Sequence, residues 1–270
     1  MSVLMRDKSL NARKHKMDLH ERHKDGSAVE NRHPWELSRT KKVLEVFGKY
    51  LDKRHGEGGE KYINIGAGDL YFDHRLLKRY AKDHVYAVDL EYDKSIPDEP
   101  KVSKYHYLEE VPDGMDYGIM MDSLEYMPDD AAYVRALSQK IKKGGYLFFT
   151  LPAIPSIFSD HDRTVKNLRR YDVRGFQKLI AAVPGVKMVE CSYFYTSLFL
   201  VRWLQVHLRL PIDRKQKVTS YWKSSEGSVL TRCIVWFLNM DFSVNRMLNR
   251  IGIRMPGLSL LAVCRKVDAG

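Results

Sequence analysis

The chain has 270 residues, of which 44% are hydrophobic, and a formal net charge of +11. This length and apolar content suit one α/β domain with additions, or two small domains, built on a real hydrophobic core. Its three cysteines are far apart, with no Cys-x-x-Cys and no histidine at ligand spacing, which argues against a disulfide framework or a metal site and favours a reducing, cytosolic setting.

The basic charge is unevenly distributed along the chain. Residues 1 to 55 carry about +6, residues 86 to 135 about −9 and residues 197 to 256 about +7. An excess of this kind suggests an acidic partner: nucleic acid, an anionic membrane surface or a phosphorylated substrate. The longest apolar stretch, 193–204, is interrupted by Arg202 and is shorter than the roughly 20 residues that span a bilayer. We expect a cytoplasmic protein, with peripheral contact to the inner face of the membrane left open.

The first 30 residues are polar and rich in Lys, Arg and His, so order is expected to begin near His33-Pro34-Trp35. Apolar residues at helical spacing then predict a helix in front of the first strand. Trp35 is either a hydrophobic anchor of that helix or, with His33, part of a lid over a ligand.

The stretch from Tyr62 to Asp89 organises the chain. Tyr62-Ile63-Asn64-Ile65 predicts a buried parallel strand that ends in the turn Gly66-Ala67-Gly68-Asp69. Helical spacing in 73–83 and a second apolar run, 85–88, complete a strand, helix, strand unit. Asp89 follows about 20 residues after the turn, where an acidic side chain binds the ribose hydroxyls of an adenosine.

Two motifs that this unit lacks reduce the number of possible cofactors. A dinucleotide fingerprint has a third glycine where this chain has Tyr71, and the Gly-Lys-Ser/Thr that binds a triphosphate is absent from the sequence. An adenosine cofactor without phosphate, S-adenosylmethionine, fits better. Here the chain resembles a class I methyltransferase. The resemblance implies that this cofactor is bound by residues at the ends of three strands, namely Gly66, Ala67, Gly68, Asp69, Asp89, Leu90, Asp122 and Ser123.

The next segments predict the rest of a doubly wound, seven-stranded, mostly parallel α/β sheet of the Rossmann-like type. A third strand or an ordered loop is expected near 102–108, a fourth strand over 115–121, a helix over 131–141 that stops at the Lys142-Lys143-Gly144-Gly145 segment, and a fifth strand over 146–151. The segment 122–130 (DSLEYMPDD) is similar to the Asp-x-Leu-Glu-His and Pro-Asp-Asp of small-molecule methyltransferases. Tyr126 stands where many of them have His.

The segment 159–171 resembles a bacterial methyltransferase subgroup with Ser-x-His-Asp followed by His-x-Arg-Arg-Tyr, and Asn167 replaces the second His. For a hydroxyl acceptor His161 is the predicted base, with Asp162 orienting it or contributing directly. The alternative is a polar loop that caps the following helix. The predicted acceptor contacts are Trp35, Tyr126, Arg169, Arg170 and Tyr171, although a solvated basic face would also explain the two arginines.

The C-terminal part predicts an amphipathic helix over 171–183, a sixth strand over 186–195 and a seventh over 258–264. Four segments follow: 1–55, a basic N-terminal segment with a lid helix; 56–196, the cofactor-binding core; 197–256, a basic, apolar helical insertion; and 257–270, the last strand with a tail. The insertion either packs on the domain, rests on an anionic membrane, or covers a hydrophobic acceptor.

The leading hypothesis is an S-adenosylmethionine-dependent methyltransferase that acts on oxygen or nitrogen of a small-molecule, glycan or lipid-linked acceptor. An RNA methyltransferase is the second, suggested by the charge, although the sequence has no Asn-Pro-Pro-Tyr-type motif or recognisable RNA-binding module. Nucleic acid is therefore not the expected partner. The third is a non-catalytic binding or membrane scaffold with the same fold, suggested by Tyr126 and Asn167 in place of histidines. Oligomeric state is left open.

Overall fold

The structure is a computed structural model that describes residues 32–52, 59–92, 96–208 and 224–268. The basic N-terminal residues before 32 and residues 209–223 of the predicted insertion lie outside these described ranges. Within the described ranges, seven strands form one sheet in the order β3-β2-β1-β4-β5-β7-β6. The strands are β1 Lys61–Ile65, β2 His84–Val88, β3 Val102–Tyr105, β4 Met115–Met121, β5 Ile141–Pro152, β6 Val186–Phe194 and β7 Ser259–Lys266.

The first five strands run parallel, and β7 pairs antiparallel with both β5 and β6. This arrangement confirms the predicted doubly wound, mostly parallel sheet. Strand order reverses between β1 and β4, so the carboxyl ends of these strands flank the crevice in which such sheets bind ligands. The segments that follow β1, β2 and β4 therefore meet at one edge of the sheet.

Helices cover both faces of the sheet. They are α1 Pro34–Leu51, α2 Tyr71–Arg79, α3 Asp130–Lys140, α4 Asp160–Thr164, α5 Val173–Ala181, α6 Thr196–His207 and α7 Val229–Arg250, with short 3₁₀ turns at Leu108–Glu110, Leu124–Tyr126 and Pro155–Ile157. Apolar side chains of α1, α2 and α7 form one core layer with one face of the sheet, and those of α3 and α5 form the layer on the other. The sheet is thus buried on both faces, as a parallel sheet requires.

The fifth strand begins five residues earlier than the sequence predicted. Gly144 and Gly145 indicated a helix stop, but they lie inside β5, opposite a register irregularity between Met115 and Tyr117 of β4. Gly144 has a φ of +78°, and a Cβ on Gly145 would lie 2.5 Å from the Asp116 carbonyl oxygen. The glycines therefore allow an irregular, closely packed strand, whereas the sequence suggested that they separate helix from strand.

Helices α6 and α7 lie between β6 and β7 in the chain. Helix α7 packs on α1 and on β6, and its Leu238 and Phe242 enter the core. Both helices were expected as apolar, basic segments. Among the residues that the structure describes, no helix is long and apolar enough to cross a membrane.

Candidate active site

The turn after β1 packs directly against the segment after β4. Gly66 and Gly68 have φ values of +71° and +57°, and Gly66 N donates to the Val88 carbonyl oxygen at 2.8 Å. A Cβ added to Gly66 would lie 2.8 Å from Ser123 Cβ. Ser123 Oγ donates to the Ile65 carbonyl oxygen at 3.0 Å. Residue 66 therefore has to be glycine for both conformational and steric reasons.

The Asp89 carboxylate is held beside this turn. It is buried at the end of β2 and accepts hydrogen bonds from Gly68 N and Glu91 N, both at 2.9 Å. Tyr92 Oη donates to the Gly68 carbonyl oxygen at 2.6 Å, which fixes the turn from its other side. The structure thus brings together the predicted residues of the turn, Asp89 and Ser123, whereas the Leu90 side chain is exposed.

Two arginines from the N-terminal segment bridge the ends of β1 and β4. Arg32 forms ion pairs with Asp69 and with Glu36, and its guanidinium lies 3.8 Å from the Tyr71 ring centre. Arg39 forms an ion pair with Asp122. Helix α1 therefore contacts the predicted cofactor residue Asp122, and its role as a lid stays a prediction.

Asp122 and Trp35 both contact Arg39. Asp122 has a φ of +48°, a conformation that L residues rarely adopt, and its backbone N donates to the Thr150 carbonyl oxygen at 2.8 Å. The Trp35 ring lies 4.2 Å from the Arg39 guanidinium, and its Nε1 is buried without a hydrogen-bond partner in the described residues. Trp35 therefore faces the contact between α1 and β4, and its role toward an acceptor stays a prediction.

The Asp162 carboxylate is a buried anchor. It accepts hydrogen bonds from Ser159 N at 2.9 Å, from Arg170 Nε at 2.8 Å and from Asn167 Nδ2 at 3.3 Å. Burial raises its pKa, but the hydrogen bond and charge of Arg170 outweigh that effect and lower the pKa below the usual aspartate value. Its hydrogen bonds thus go to groups other than the His161 imidazole, so Asp162 caps α4 and holds Arg170. The predicted contribution to catalysis stays untested.

His161 is half-buried on α4 near the charge of Arg202 from α6. Burial and then this positive charge lower the pKa of His161 below the ordinary histidine value, and the Asp162 carboxylate opposes them. The lowered pKa favours the neutral form of the imidazole. A neutral imidazole has the protonation state that a general base needs.

Arg169 and Tyr171 surround another carboxylate. Arg169 Nη1 lies 2.8 Å from Asp130 Oδ2 and Tyr171 Oη donates to the same oxygen at 3.0 Å. Arg170 also donates to the Ala153 carbonyl oxygen at 3.0 Å. These residues line a groove of about 300 Å³ with Pro155 and α5. Both arginines are thus already paired with carboxylates, which leaves less of their charge for an anionic acceptor than the sequence suggested.

Glu125 and Arg39 are two residues of the site that the sequence analysis missed. Glu125 lies in the 3₁₀ turn after β4, next to the half-buried Tyr126; it is 2% exposed, and its Oε2 has no hydrogen-bond partner among the described residues. Burial raises its pKa to about 8 although Arg39 and Arg170 act in the opposite direction. The signal in the sequence was the Leu-Glu-Tyr motif, which contains both Glu125 and Tyr126.

Comparisons with known proteins agree with this architecture. No family model matches the chain. A solved structure from Galdieria sulphuraria, described as a putative sarcosine dimethylglycine methyltransferase, covers 89% of this chain and 92% of its own with a TM-score of 0.53 at 14% identity. The plantazolicin methyltransferase BamL, solved with a triazolic desmethylPZN analog and SAH, gives a TM-score of 0.51 at 13% identity, with 85% of each chain covered. The chain has the class I methyltransferase fold.

Proteins related to this chain in sequence match a smaller part of it than the solved structures do. A ubiquinone biosynthesis O-methyltransferase of Xylella fastidiosa strain M23 is 31% identical over 116 residues, which are 37% of this chain and 44% of that protein. The chain thus spans less than half the length of this curated relative. The class I resemblance inferred from the motifs is confirmed at the level of the fold, and the subgroup with Ser-x-His-Asp stays a prediction.

Proposed function

We propose that this chain transfers a methyl group from S-adenosylmethionine to an oxygen or nitrogen of a small-molecule, glycan or lipid-linked acceptor. The observation that carries the proposal is the buried Asp89 carboxylate, held 2.9 Å from the backbone nitrogen of Gly68 in the turn after β1. An acidic side chain at this place binds ribose hydroxyls in sheets of this type. The name of the Xylella relative, an O-methyltransferase, supports oxygen as the accepting atom.

The residues present fit this cofactor. The turn 66–70 contains no Lys or Arg, and Tyr71 opens α2 where a pyrophosphate-binding helix has glycine. Gly66 has no space for a Cβ, and its positive φ keeps the turn close to Ser123. Asp89 would hold the ribose, and the turn would lie along the aminoacyl end. When bound, S-adenosylmethionine supplies a methyl group on a good leaving group.

The protein's own contribution is mainly alignment and the exclusion of water. The ion pairs Arg32–Asp69 and Arg39–Asp122 hold α1 across the ends of β1 and β4, which would shield the reacting atoms. A hydroxyl acceptor loses a proton as its new carbon–oxygen bond forms. The neutral His161 imidazole would take that proton and return it to solvent.

Calorimetric titration with S-adenosylmethionine and S-adenosylhomocysteine tests the proposal. We expect micromolar binding by the wild-type chain and at least a tenfold loss in Asp89→Asn, because the amide replaces one acceptor oxygen with a donor. Asp113→Asn is the matched control, since the Asp113 side chain is 79% exposed. Equal affinity of Asp89→Asn and wild type would refute the assignment. The comparisons favour neither the RNA methyltransferase nor the scaffold alternative.

A further inference from the structure

Helix α7 exposes an apolar stripe along its whole length. Val229, Trp236, Met240, Val244 and Met247, with Ile251 directly after the helix, recur at intervals of three, four or seven residues and are between 43% and 76% exposed. Residues at these intervals share one face of a helix. The opposite face, with Leu238 and Phe242, is buried against the domain. Helix α7 is therefore apolar on two faces, and only one of them has a partner in the described residues.

Helix α6 adds further exposed apolar side chains. It packs beside α7 and exposes Leu200, Trp203 and Leu204, and the exposed Leu208 follows its last residue. In the described part of the chain, all large apolar side chains that are exposed lie between residues 200 and 255, except Leu90, Leu168 and Val189. We call the exposed apolar side chains of α6 and α7 the apolar surface. Exposed apolar side chains concentrated in one region of a protein mark an interaction site.

The charge around the apolar surface identifies its partner. Arg232, Arg250 and Arg254 are exposed beside it. Asp241, an acidic residue of α7, is turned away from it and accepts hydrogen bonds from Thr196 N and Ser197 N. In residues 197–208 and 224–256, five arginines stand against two acidic residues, Glu226 and Asp241. An apolar face with tryptophans and a cationic border is complementary to the interface of an anionic bilayer.

A second copy of the chain fits this surface less well. An isologous dimer would pair the same surface of two chains across a two-fold axis. One interface would then contain the arginines of both chains, and like charges at an interface oppose association. A bilayer with anionic headgroups accepts the same arginines favourably.

We propose that the apolar surface of α6 and α7 docks this protein onto anionic membranes, with both helices lying in the headgroup region. The proposal rests on the exposed residues of these two helices. The membrane proposal adds a partner to the proposed function. It holds independently of methyl transfer, because vesicle binding is measured without cofactor or acceptor.

Sedimentation of the full chain with vesicles tests this proposal. We expect binding to vesicles that contain phosphatidylglycerol, little binding to pure phosphatidylcholine, and weakening by salt, because the arginines interact with headgroups. The triple variant Trp236→Ser, Met240→Gln, Met247→Gln should lose at least tenfold in affinity. Val189→Gln is the matched control, since Val189 is an exposed apolar residue on β6, outside the apolar surface.

Circular dichroism checks the folding of the variants, which replace exposed side chains only. Quenching of tryptophan fluorescence by brominated lipid should occur in the wild type and fall in Trp236→Phe. Failure of the wild-type chain to sediment with anionic vesicles, or wild-type sedimentation of the triple variant, would overturn the proposal. A concentration-dependent dimer that the triple variant abolishes, without vesicle binding, would assign the surface to a second copy. Cofactor titration of the same preparations tells a failure of this proposal from a failure of the proposed function.

Discussion

Arg39 of α1 pairs with Asp122, the residue that follows β4, so the N-terminal helix is fastened to the edge of the sheet where the candidate site lies. Both side chains are mostly buried, at 12% and 23% exposed. Glu125 is within the electrostatic influence of the same guanidinium. Arg39 thus pairs with Asp122 and also opposes the rise that burial produces in the pKa of Glu125.

Replacing Arg39 with alanine should therefore destabilise the protein. We expect Arg39→Ala to lower the free energy of unfolding by about 3 kcal/mol, because it leaves Asp122 without its cation in a mostly buried place. Urea denaturation followed by circular dichroism measures the change. Glu45→Ala, on the exposed side of the same helix, is the control and should stay within about 0.5 kcal/mol of wild type. An equal loss in both variants would show that α1 as a whole, and not the Arg39 contact, is sensitive.

Adding a methyl group to Gly66 should disturb the turn and the segment after β4 together. The left-handed conformation costs an L residue about 1–2 kcal/mol, and the new Cβ would lie 2.8 Å from Ser123 Cβ. We expect Gly66→Ala to reduce affinity for S-adenosylmethionine at least tenfold in calorimetry. The double variant Gly66→Ala, Ser123→Gly removes the steric clash and should recover part of that loss. No recovery would assign the whole effect to backbone conformation.

Glu125 should make stability depend on pH in an unusual direction. Its pKa in the folded protein is raised to about 8, above that of an unfolded glutamate, because the side chain is buried. The folded protein therefore keeps a proton that the unfolded chain releases. The resulting stability is complete below the unfolded pKa and is lost as pH rises toward 8, at about 1.4 kcal/mol per pH unit.

The variant Glu125→Gln isolates this contribution. Its free energy of unfolding should fall less than that of the wild type between pH 5 and pH 8, and the two should change in parallel above pH 8. Urea denaturation at several pH values measures the difference. Glu109→Gln, an exposed glutamate of the preceding 3₁₀ turn, should track the wild type throughout. A wild-type profile for Glu125→Gln would show that Glu125 is ionised in the folded protein.

The sequence was sufficient for the sheet and for the glycine turn, because both depend on local patterns. Apart from Asn64 and Ala87, the runs 62–65 and 85–88 consist of β-branched or aromatic residues, and the Gly-x-Gly between them requires positive φ at two positions. The contacts of Arg39 and Glu125 could not be predicted in this way. They depend on a contact between α1 and the end of β4, two segments more than 80 residues apart in sequence. They also depend on burial, which the periodicity of neither segment indicates.

The same limit applies to Arg170. Its place after a polar motif suggested an anion-binding side chain, whereas the structure buries it against Asp162 and the Ala153 carbonyl oxygen. The sequence indicated correctly that Arg170 binds a carboxylate. It did not show that this carboxylate is Asp162 of the protein itself.

His161 and Arg202 provide a test of the base that is independent of the acceptor's identity. Burial and then the charge of Arg202 lower the pKa of His161, and Arg202 itself is contributed by α6. Arg202→Gln should therefore raise the pKa of His161 toward the ordinary value near 6.5. NMR titration of the His161 C2 proton measures it directly, and His161→Gln identifies the signal. Arg163→Gln, an exposed arginine next to the same helical turn, should leave the titration unchanged.

The pH dependence of methyl transfer then follows with a defined sign. A base is active when deprotonated, so the rate should rise as pH increases through the pKa of His161 and level off above it. Because Arg202→Gln raises that pKa, its rising limb should move to higher pH, while the plateau keeps its height. A rate that falls in His161→Gln by less than about tenfold, below the usual contribution of general base catalysis, would mean that alignment alone carries the reaction. If the NMR titration shifts but the pH dependence of the rate does not, His161 is not the general base.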